Sequence, residues 1–293
     1  MEKLVKIQFP TEYFSIKDTL NCGQVFRFRE YKNGFLVYSG DKCAFCYQEE
    51  TCSIIECKEE DRDYFYNYFD LSRDYKKIND LAISENIEIL TASAKSGKGI
   101  RLLNQNLEET LFSFIISQNN NIPRIKLIIE KLCTTLGEKK SYNNIEYYSF
   151  PSVVALSKKD EQFYKDLGLG YRAEYIRRLA ENIVNGLDIY SFKNLKTADL
   201  KKQLINIYGV GRKVADCVSL FGYRRGDSFP VDTWIEKVYR DDFCGRIKDR
   251  EKISEWFITR FNENAGYFQQ YLFFYKREME KNREKTKKVI KAD

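Results

Sequence analysis

A lysine and an aspartate that could share one reaction stand nineteen residues apart, Lys213 and Asp232. Lys213 comes two residues after a Gly209-Val210-Gly211 turn, and Asp232 follows Pro230-Val231. An unprotonated lysine amine attacks electrophilic carbon and can be carried into a Schiff base, while a carboxylate opposite it stabilises positive charge as it develops. The turn adds a binding function. Its glycines accept positive φ and let a partner approach closely. The helix that opens at Arg212 presents free N–H groups and the positive end of its dipole, a seat for a phosphate of a nucleic-acid backbone. Plainer readings stand beside these: an exposed lysine flanking a phosphate-binding turn, and Asp232 as the N-cap of a helix over Thr233–Arg240.

The stretch that must position these groups is a helix, a hairpin and a second helix, with the hairpin region at 204–222. In the second helix Val214, Cys217, Val218, Phe221 and Gly222 recur at helical spacing and define a core face. Cys217 and Phe221 lie at i+4 and i+8 from Lys213, so the lysine stands one turn above an apolar strip. It has no carboxylate at i+4, although Asp216 at i+3 could pair with it. A lysine partly desolvated there is expected to have a lowered pKa.

The chain has 293 residues, 43% of them hydrophobic and 15% aromatic, enough for two domains with a packed core. Its net charge of +6 is a mild basic excess that suits one basic face. With no histidine, histidine-dependent catalysis and histidine metal sites are excluded. Cys43, Cys46, Cys52 and Cys57 raise a zinc or iron–sulfur reading. The alternation of a β-hairpin puts Cys43 and Cys46 on opposite faces, which favours buried free thiols, and no metal is expected. No run of eighteen apolar residues and no signal-peptide segment is present, so the chain is expected to be soluble, intracellular and DNA-associated, with no membrane partner.

Short alternating runs at Gln24–Arg29, Gly34–Tyr38 and Ala44–Tyr47 predict an antiparallel sheet, followed over 59–86 by polar, aromatic-rich helices that cover it, with Tyr64, Tyr66, Tyr68 and Phe69 as core or interface candidates. Ser93–Gly99, SAKSGKG, reads as a linker, giving a sheet domain over 1–92, a linker over 93–104 and a helical region over 105–293. Helical stripes follow: Leu107, Leu111, Phe114 and Ile115; Ile125, Ile128, Ile129, Leu132 and Leu136; Ile176, Leu179, Ala180, Ile183 and Val184. Between them lie an asparagine-rich connection, Ser117–Arg124, and a glycine turn, Gly168–Ala173. Gln269 and Phe273 share one face of a later helix, and Lys276–Asp293 reads as a charged helix or frayed solvated end.

The hairpin, the lysine two residues past its second glycine and the later Pro-Val-Asp resemble the helix-hairpin-helix DNA glycosylase superfamily, HhH-GPD. The phrase Gly209 to Cys217, GVGRKVADC, is especially similar to the 8-oxoguanine DNA glycosylase/AP lyases. Tyr208 departs from the family, which usually has proline before the hairpin. The resemblance implies an α+β protein, an N-terminal antiparallel β-sheet domain followed by a mostly α-helical helix-hairpin-helix body. It implies Lys213 and Asp232 as catalytic residues; Gly23, Cys217, Gln269 and Phe273, with Phe221 on the same strip as Cys217, as base-recognition residues; and Asn119, Arg124, Tyr171, Arg172, Gly209, Val210 and Gly211 as DNA contacts. In it, the Gly23 carbonyl meets the N7–H that distinguishes oxidised guanine. Asn119 fills the gap left by the extruded nucleotide, Tyr171 wedges the stack, and Arg124 and Arg172 meet the orphaned cytosine. The partner is double-stranded DNA containing oxidised guanine, the protein a monomer, the cofactor none, with a structural cation on the hairpin carbonyls left open. An alkylated-purine glycosylase lacks the nucleophilic lysine. A non-catalytic hairpin module leaves Asp232 and the Gln269/Phe273 pair without a joint purpose.

Overall fold

The computed structural model describes residues 3–290. Strands β1 (Leu4–Pro10), β2 (Phe28–Tyr31), β3 (Gly34–Ser39), β4 (Lys42–Gln48) and β5 (Cys52–Lys58), with helix α1 (Ile16–Asn21) after the first, build an antiparallel sheet in the order β1-β5-β4-β3-β2. The side-chain period of two sorts its faces. Val37, Ala44, Cys46, Ile55 and Cys57 point to one side, against Phe65, Tyr68 and Phe69. Leu36, Tyr38 and Cys43 point to the other. Cys43 and Cys46 therefore diverge, as the alternation requires, and burial pushes the Cys57 thiol up to about 11.

The expected strand at Gln24–Arg29 begins only at Phe28. Gln24 is fully buried, and its amide donates to the carbonyls of Thr19 and Arg101 while accepting from Leu103 N–H, so the side chain clamps a turn rather than continuing a ladder. Helix α2 (Arg62–Tyr68) covers the sheet as expected, burying Tyr68, with Phe69 just beyond it; Tyr66 stays exposed. Helices α3 (Tyr75–Ser84) and α4 (Glu88–Ser96) do not cover the sheet; they pack with the C-terminal helices instead.

The predicted linker is a second correction. Residues 93–96 close α4, and Ile100 to Leu103 are buried. Within the span taken as linker, Arg101 is 1% exposed. Its guanidinium donates to the carbonyls of Tyr13, Phe69, Asp70 and Arg73 and lies 4.0 Å from the Tyr75 ring centroid. A buried cation is tolerated when its donors find acceptors, and these four bonds tie the sheet's neighbours to the helices.

Two helical layers complete the chain. The first is formed by α5 (Leu107–Ser117), α6 (Ile122–Leu136), the ribbon β6 (Lys139–Tyr142) and β7 (Ile145–Tyr148), α7 (Val153–Ser157), α8 (Glu161–Asp166), α9 (Arg172–Val184), α10 (Thr197–Ile205) and α11 (Arg212–Phe221). All three predicted stripes face its core, apart from the exposed Val184 at the end of α9. The ribbon reaches back to the sheet, where Tyr142 Oη donates to Glu56 O at 2.9 Å and Tyr147 Oη to Asp41 O at 2.7 Å. The second layer is formed by α12 (Thr233–Asp241), α13 (Arg250–Phe261) and α14 (Ala265–Ile290), with α3 and α4. The segment 222–232 crosses from one layer to the other, so Lys213 and Asp232 belong to opposite sides of their junction.

Candidate active site and nucleic-acid interface

The hairpin is formed by 206–211 between α10 and α11. Gly209 has φ +87°, and a Cβ there would come within 2.3 Å of the Tyr175 ring, so both backbone and packing require glycine. Gly211 is the N-cap of α11 with no side-chain cap, and a Cβ on it would meet nothing within 4 Å. The first amides of α11 thus open onto an uncluttered surface. Val210 is 5% exposed and anchors the turn in the core. Gly209→Ala is expected to lose about 1–3 kcal/mol of stability from the strained conformation and to weaken DNA binding; thermal melting and a gel-shift titration check both.

Two connections meet beside this hairpin. Gln118 Nε2 donates to Gly209 O at 2.8 Å, tying the asparagine connection to the turn. Asn120 bonds back to Ile116 O, and Asn121 caps α6. Asn119 is exposed in the turn at φ +46°, and its side chain makes no hydrogen bond among the described residues. Arg124 is exposed, with Nη2 3.3 Å from Gly168 O. Tyr171 is 51% exposed, within 3.4 Å of Gln118 O. Asn119, Arg124, Tyr171 and the hairpin therefore form one continuous surface. Arg172 does not share it: it is 5% exposed and donates to the carbonyls of Gln118, Asn119 and Leu169. Its guanidinium holds the asparagine connection in shape, which corrects its reading as a free base contact. Tyr175, not singled out from sequence, and Tyr208, noted there only as a departure from the family, extend the surface through edge-to-face contacts with 5.7 and 5.3 Å between successive centroids of Tyr171, Tyr175 and Tyr208.

Lys213 projects from the first turn of α11. Its Nζ lies 5.6 Å from the Phe114 ring centroid, and no ion pair involves it among the described residues. The expected desolvation is not found, because the first turn stands clear of the apolar strip and the lysine is exposed. Asp216, the carboxylate at i+3, is taken by Lys201 at 2.6 Å and by Ser228 Oγ, so the Lys213 amine has no carboxylate in an ion pair with it among the described residues. A cleft of about 650 Å³ between α10, α11 and α13 opens beside Lys213 and includes Lys201, Asp216 and Arg250.

Asp232 serves both of its readings. Its Oδ1 caps α12 by accepting from Trp234 N–H at 2.9 Å and Ile235 N–H at 3.0 Å, leaving Oδ2 unused. Burial raises its pKa above the usual carboxylate value, against the opposing pull of those amides and of Lys213. Cys217 feels both charges: burial pushes its thiol up to about 11, Lys213 draws it down and Asp232 raises it. The lysine and the aspartate thus act on one buried, protonated thiol. Phe221 is elsewhere. It is 4% exposed and stacks on Phe114 with centroids 5.5 Å apart, so it supports the floor under Lys213 and is corrected from a base-recognition residue to a core residue.

The remaining residues converge from the two ends of the chain. Gly23 has φ +92°, and a Cβ on it would lie 3.1 Å from both the Phe273 ring and an Arg277 nitrogen. Gln269 is 5% exposed; its Nε2 donates to Pro230 O at 3.1 Å, and its Oε1 is buried without a partner. Gln270 is spoken for, donating to Cys22 O at 2.9 Å. Gln270 thus has its amide nitrogen tied to the turn before Gly23, whereas Gln269, one helical turn before Phe273, has a buried acceptor without a partner. The charged tail predicted from Lys276 begins too early, since Lys276 and Arg277 are both buried, and 291–293 lie outside the described residues.

Comparison with known proteins gives two family matches: 8-oxoguanine DNA glycosylase, N-terminal domain, over residues 6–111, and HhH-GPD superfamily base excision DNA repair protein over residues 112–261. A Clostridium acetobutylicum 8-oxoguanine glycosylase/lyase, solved in complex with DNA containing cytosine opposite 8-oxoguanine, is 34% identical, with a TM-score of 0.87 over 92% of this chain and 93% of that one. The N-glycosylase/DNA lyase of Saccharomyces cerevisiae is 31% identical over 273 residues, 82% of this chain and 71% of the relative. The 3-methyladenine DNA glycosylase of Archaeoglobus fulgidus shares the fold at 18% identity, with a TM-score of 0.75 over 92% of this chain and 98% of that one.

Proposed function

Since this chain belongs to the HhH-GPD superfamily of base excision DNA repair proteins, as a member carrying the 8-oxoguanine DNA glycosylase N-terminal domain, we propose that it excises 8-oxoguanine opposite cytosine with Lys213 as nucleophile and Asp232 as its charged partner. It is a base-excision repair glycosylase and AP lyase; the proposal concerns which residues do what. The observation that carries it is that Lys213, on α11, and Asp232, at the start of α12, stand near enough for each to act on the buried Cys217 thiol and for the lysine to pull on the aspartate.

In this reading the hairpin amides hold a backbone phosphate, Tyr171 and Asn119 occupy the space a flipped nucleotide leaves, and Arg124 offers its donor fork to the acceptors of the orphaned cytosine. The damaged purine enters beside Gly23, Cys217, Gln269 and Phe273. Gln269 Oε1 is the acceptor waiting for the N–H groups of its Watson–Crick edge. As the glycosidic bond to C1′ breaks, Asp232 stabilises positive charge on the sugar and the Lys213 amine bonds to C1′. Opening of the sugar gives the Schiff base. Loss of a C2′ proton then expels the 3′ phosphate, and hydrolysis releases the lysine.

The test is a set of duplexes bearing 8-oxoguanine, an alkylated purine or undamaged guanine, scored for base release and strand cleavage. Product from the 8-oxoguanine duplex, fastest opposite cytosine, is expected. Release of the alkylated purine alone would move the chain to the alkylation-repair branch, and no product from any duplex would leave only a DNA-binding role.

A further inference from the structure

Phe273 and Gln269 are four residues apart on α14, and four residues further on the same face stands Arg277. It is 7% exposed, yet two of its three guanidinium nitrogens, Nε and Nη1, are buried without any acceptor. The third, Nη2, donates to Asn21 O and lies 3.6 Å from a Glu278 carboxylate oxygen. Buried donors without partners are rare and call for an acceptor that arrives later. The direction of this guanidinium says where. Nη1 would touch a Cβ on Gly23 at 3.1 Å, and the guanidinium carbon lies 5.3 Å from the Phe273 ring centroid.

The neighbouring backbone shows the complementary gap. Asn21 O accepts from Arg277 and Cys22 O from Gln270, while the Gly23 carbonyl receives no hydrogen bond among the described residues. An unused acceptor and unused donors thus sit side by side. Oxidation at C8 of guanine gives the base a matching edge, with N7–H as donor and the C8 carbonyl, O8, as acceptor next to it; unoxidised guanine has neither.

Resting on the proposed function, we propose that Arg277 is a further lesion-recognition residue, donating to O8 of the extruded base while the Gly23 carbonyl accepts from N7–H. The pair reads the oxidised edge with two bonds of opposite sense. Guanine would leave the arginine donors unpaired and set its bare N7 against a carbonyl oxygen, and a site built to hydrogen-bond one partner rejects an analogue that lacks it strongly.

The experiment measures single-turnover base release by the wild type, Arg277→Met and Arg277→Lys on three duplexes: 8-oxoguanine, 8-thioguanine, which keeps N7–H but replaces O8 by sulfur, and an abasic site. Arg277→Met is expected to slow release of 8-oxoguanine by on the order of tenfold to a hundredfold, the range for a hydrogen bond from a charged donor. Nicking of the abasic duplex, which uses Lys213 with no base in the pocket, stays within about twofold and shows that the variant folds. The wild type prefers oxygen to sulfur, Arg277→Met treats both alike, and Arg277→Lys recovers part of the preference. Equal slowing on the oxygen and sulfur lesions would mean that Arg277 only shapes the Gly23 turn, and slowed abasic nicking that it only supports the fold; either overturns the contact, as does an unchanged rate on 8-oxoguanine. Failure of the wild type itself to release 8-oxoguanine would instead reject the functional reading beneath it.

Discussion

Replacing Lys213 by glutamine is expected to abolish borohydride trapping of the protein on 8-oxoguanine DNA and to lower base release by on the order of a thousandfold or more, the scale set by removal of a covalent nucleophile. Binding should survive. Lys213 is exposed, its amine lies near the Phe114 ring and the Cys217 thiol, and glutamine keeps most of its stem. Substitutions at such positions change stability by about half a kcal/mol or less. The hairpin amides that hold phosphate belong to the backbone and are untouched. Gel-shift affinity near that of the wild type, with no covalent adduct, is the expected pair of results. Normal trapping by Lys213→Gln would transfer the nucleophile to another amine, and Lys201 and Lys202, which share the adjoining cleft, would be examined first.

Asp232→Asn separates the two duties of one side chain. Asparagine caps a helix about as well as aspartate, and its amide oxygen can accept from Trp234 and Ile235 as Oδ1 does. What is lost is the charge. Base release is expected to fall by about a hundredfold to a thousandfold, the cost of removing one preorganised electrostatic group. Asp232→Ala should fall as far and also lose about 1 kcal/mol from the missing cap. The pH dependence has a defined sign. Burial raises the Asp232 pKa, so the active, ionised form is lost as pH falls through a value above the ordinary one of about 4. The acid limb of the wild-type rate therefore lies above that pH, and in Asp232→Asn it disappears. For folding, a raised carboxylate pKa contributes stability that is present below the unfolded value and lost as pH rises through the folded one, so at neutral pH Asp232→Asn does not lower the melting temperature. An acid limb unchanged in Asp232→Asn would assign the titration to another group.

What was legible in the sequence was whatever is encoded locally. The hairpin, the helix after it, the capping position of Asp232 and the opposite orientations of Cys43 and Cys46 all follow from spacing over a few residues. The pairing of Gly23 with α14 has no local period; it was reached through resemblance, and the structure brings Gly23, Phe273 and Gln269 together. Errors arose where charge was taken for exposure. Arg277 reads as part of a solvated tail and is buried, because a backbone carbonyl and a neighbouring ring receive its guanidinium group. Arg172 failed in the same way, since a donor fork suited to a cytosine edge is equally suited to two carbonyls of a loop. Phe221 shares the strip of Cys217, but one more helical turn carries it past the junction into the stack on Phe114.

The second helical layer joins α3 and α4, early in the polypeptide, to α14 at its end. A ribosome making this protein completes the glycine hairpin well before α14 emerges to cover Ala82, Leu90 and Ala94 and to supply Gln269, Phe273 and Arg277. A product cut short after α13 would keep the means of holding a duplex but not the means of telling one base from another. On the proposed reading, the Gly23 half of the lesion-reading pair is made first and its Arg277 half last, so selectivity is completed only once α14 has been made.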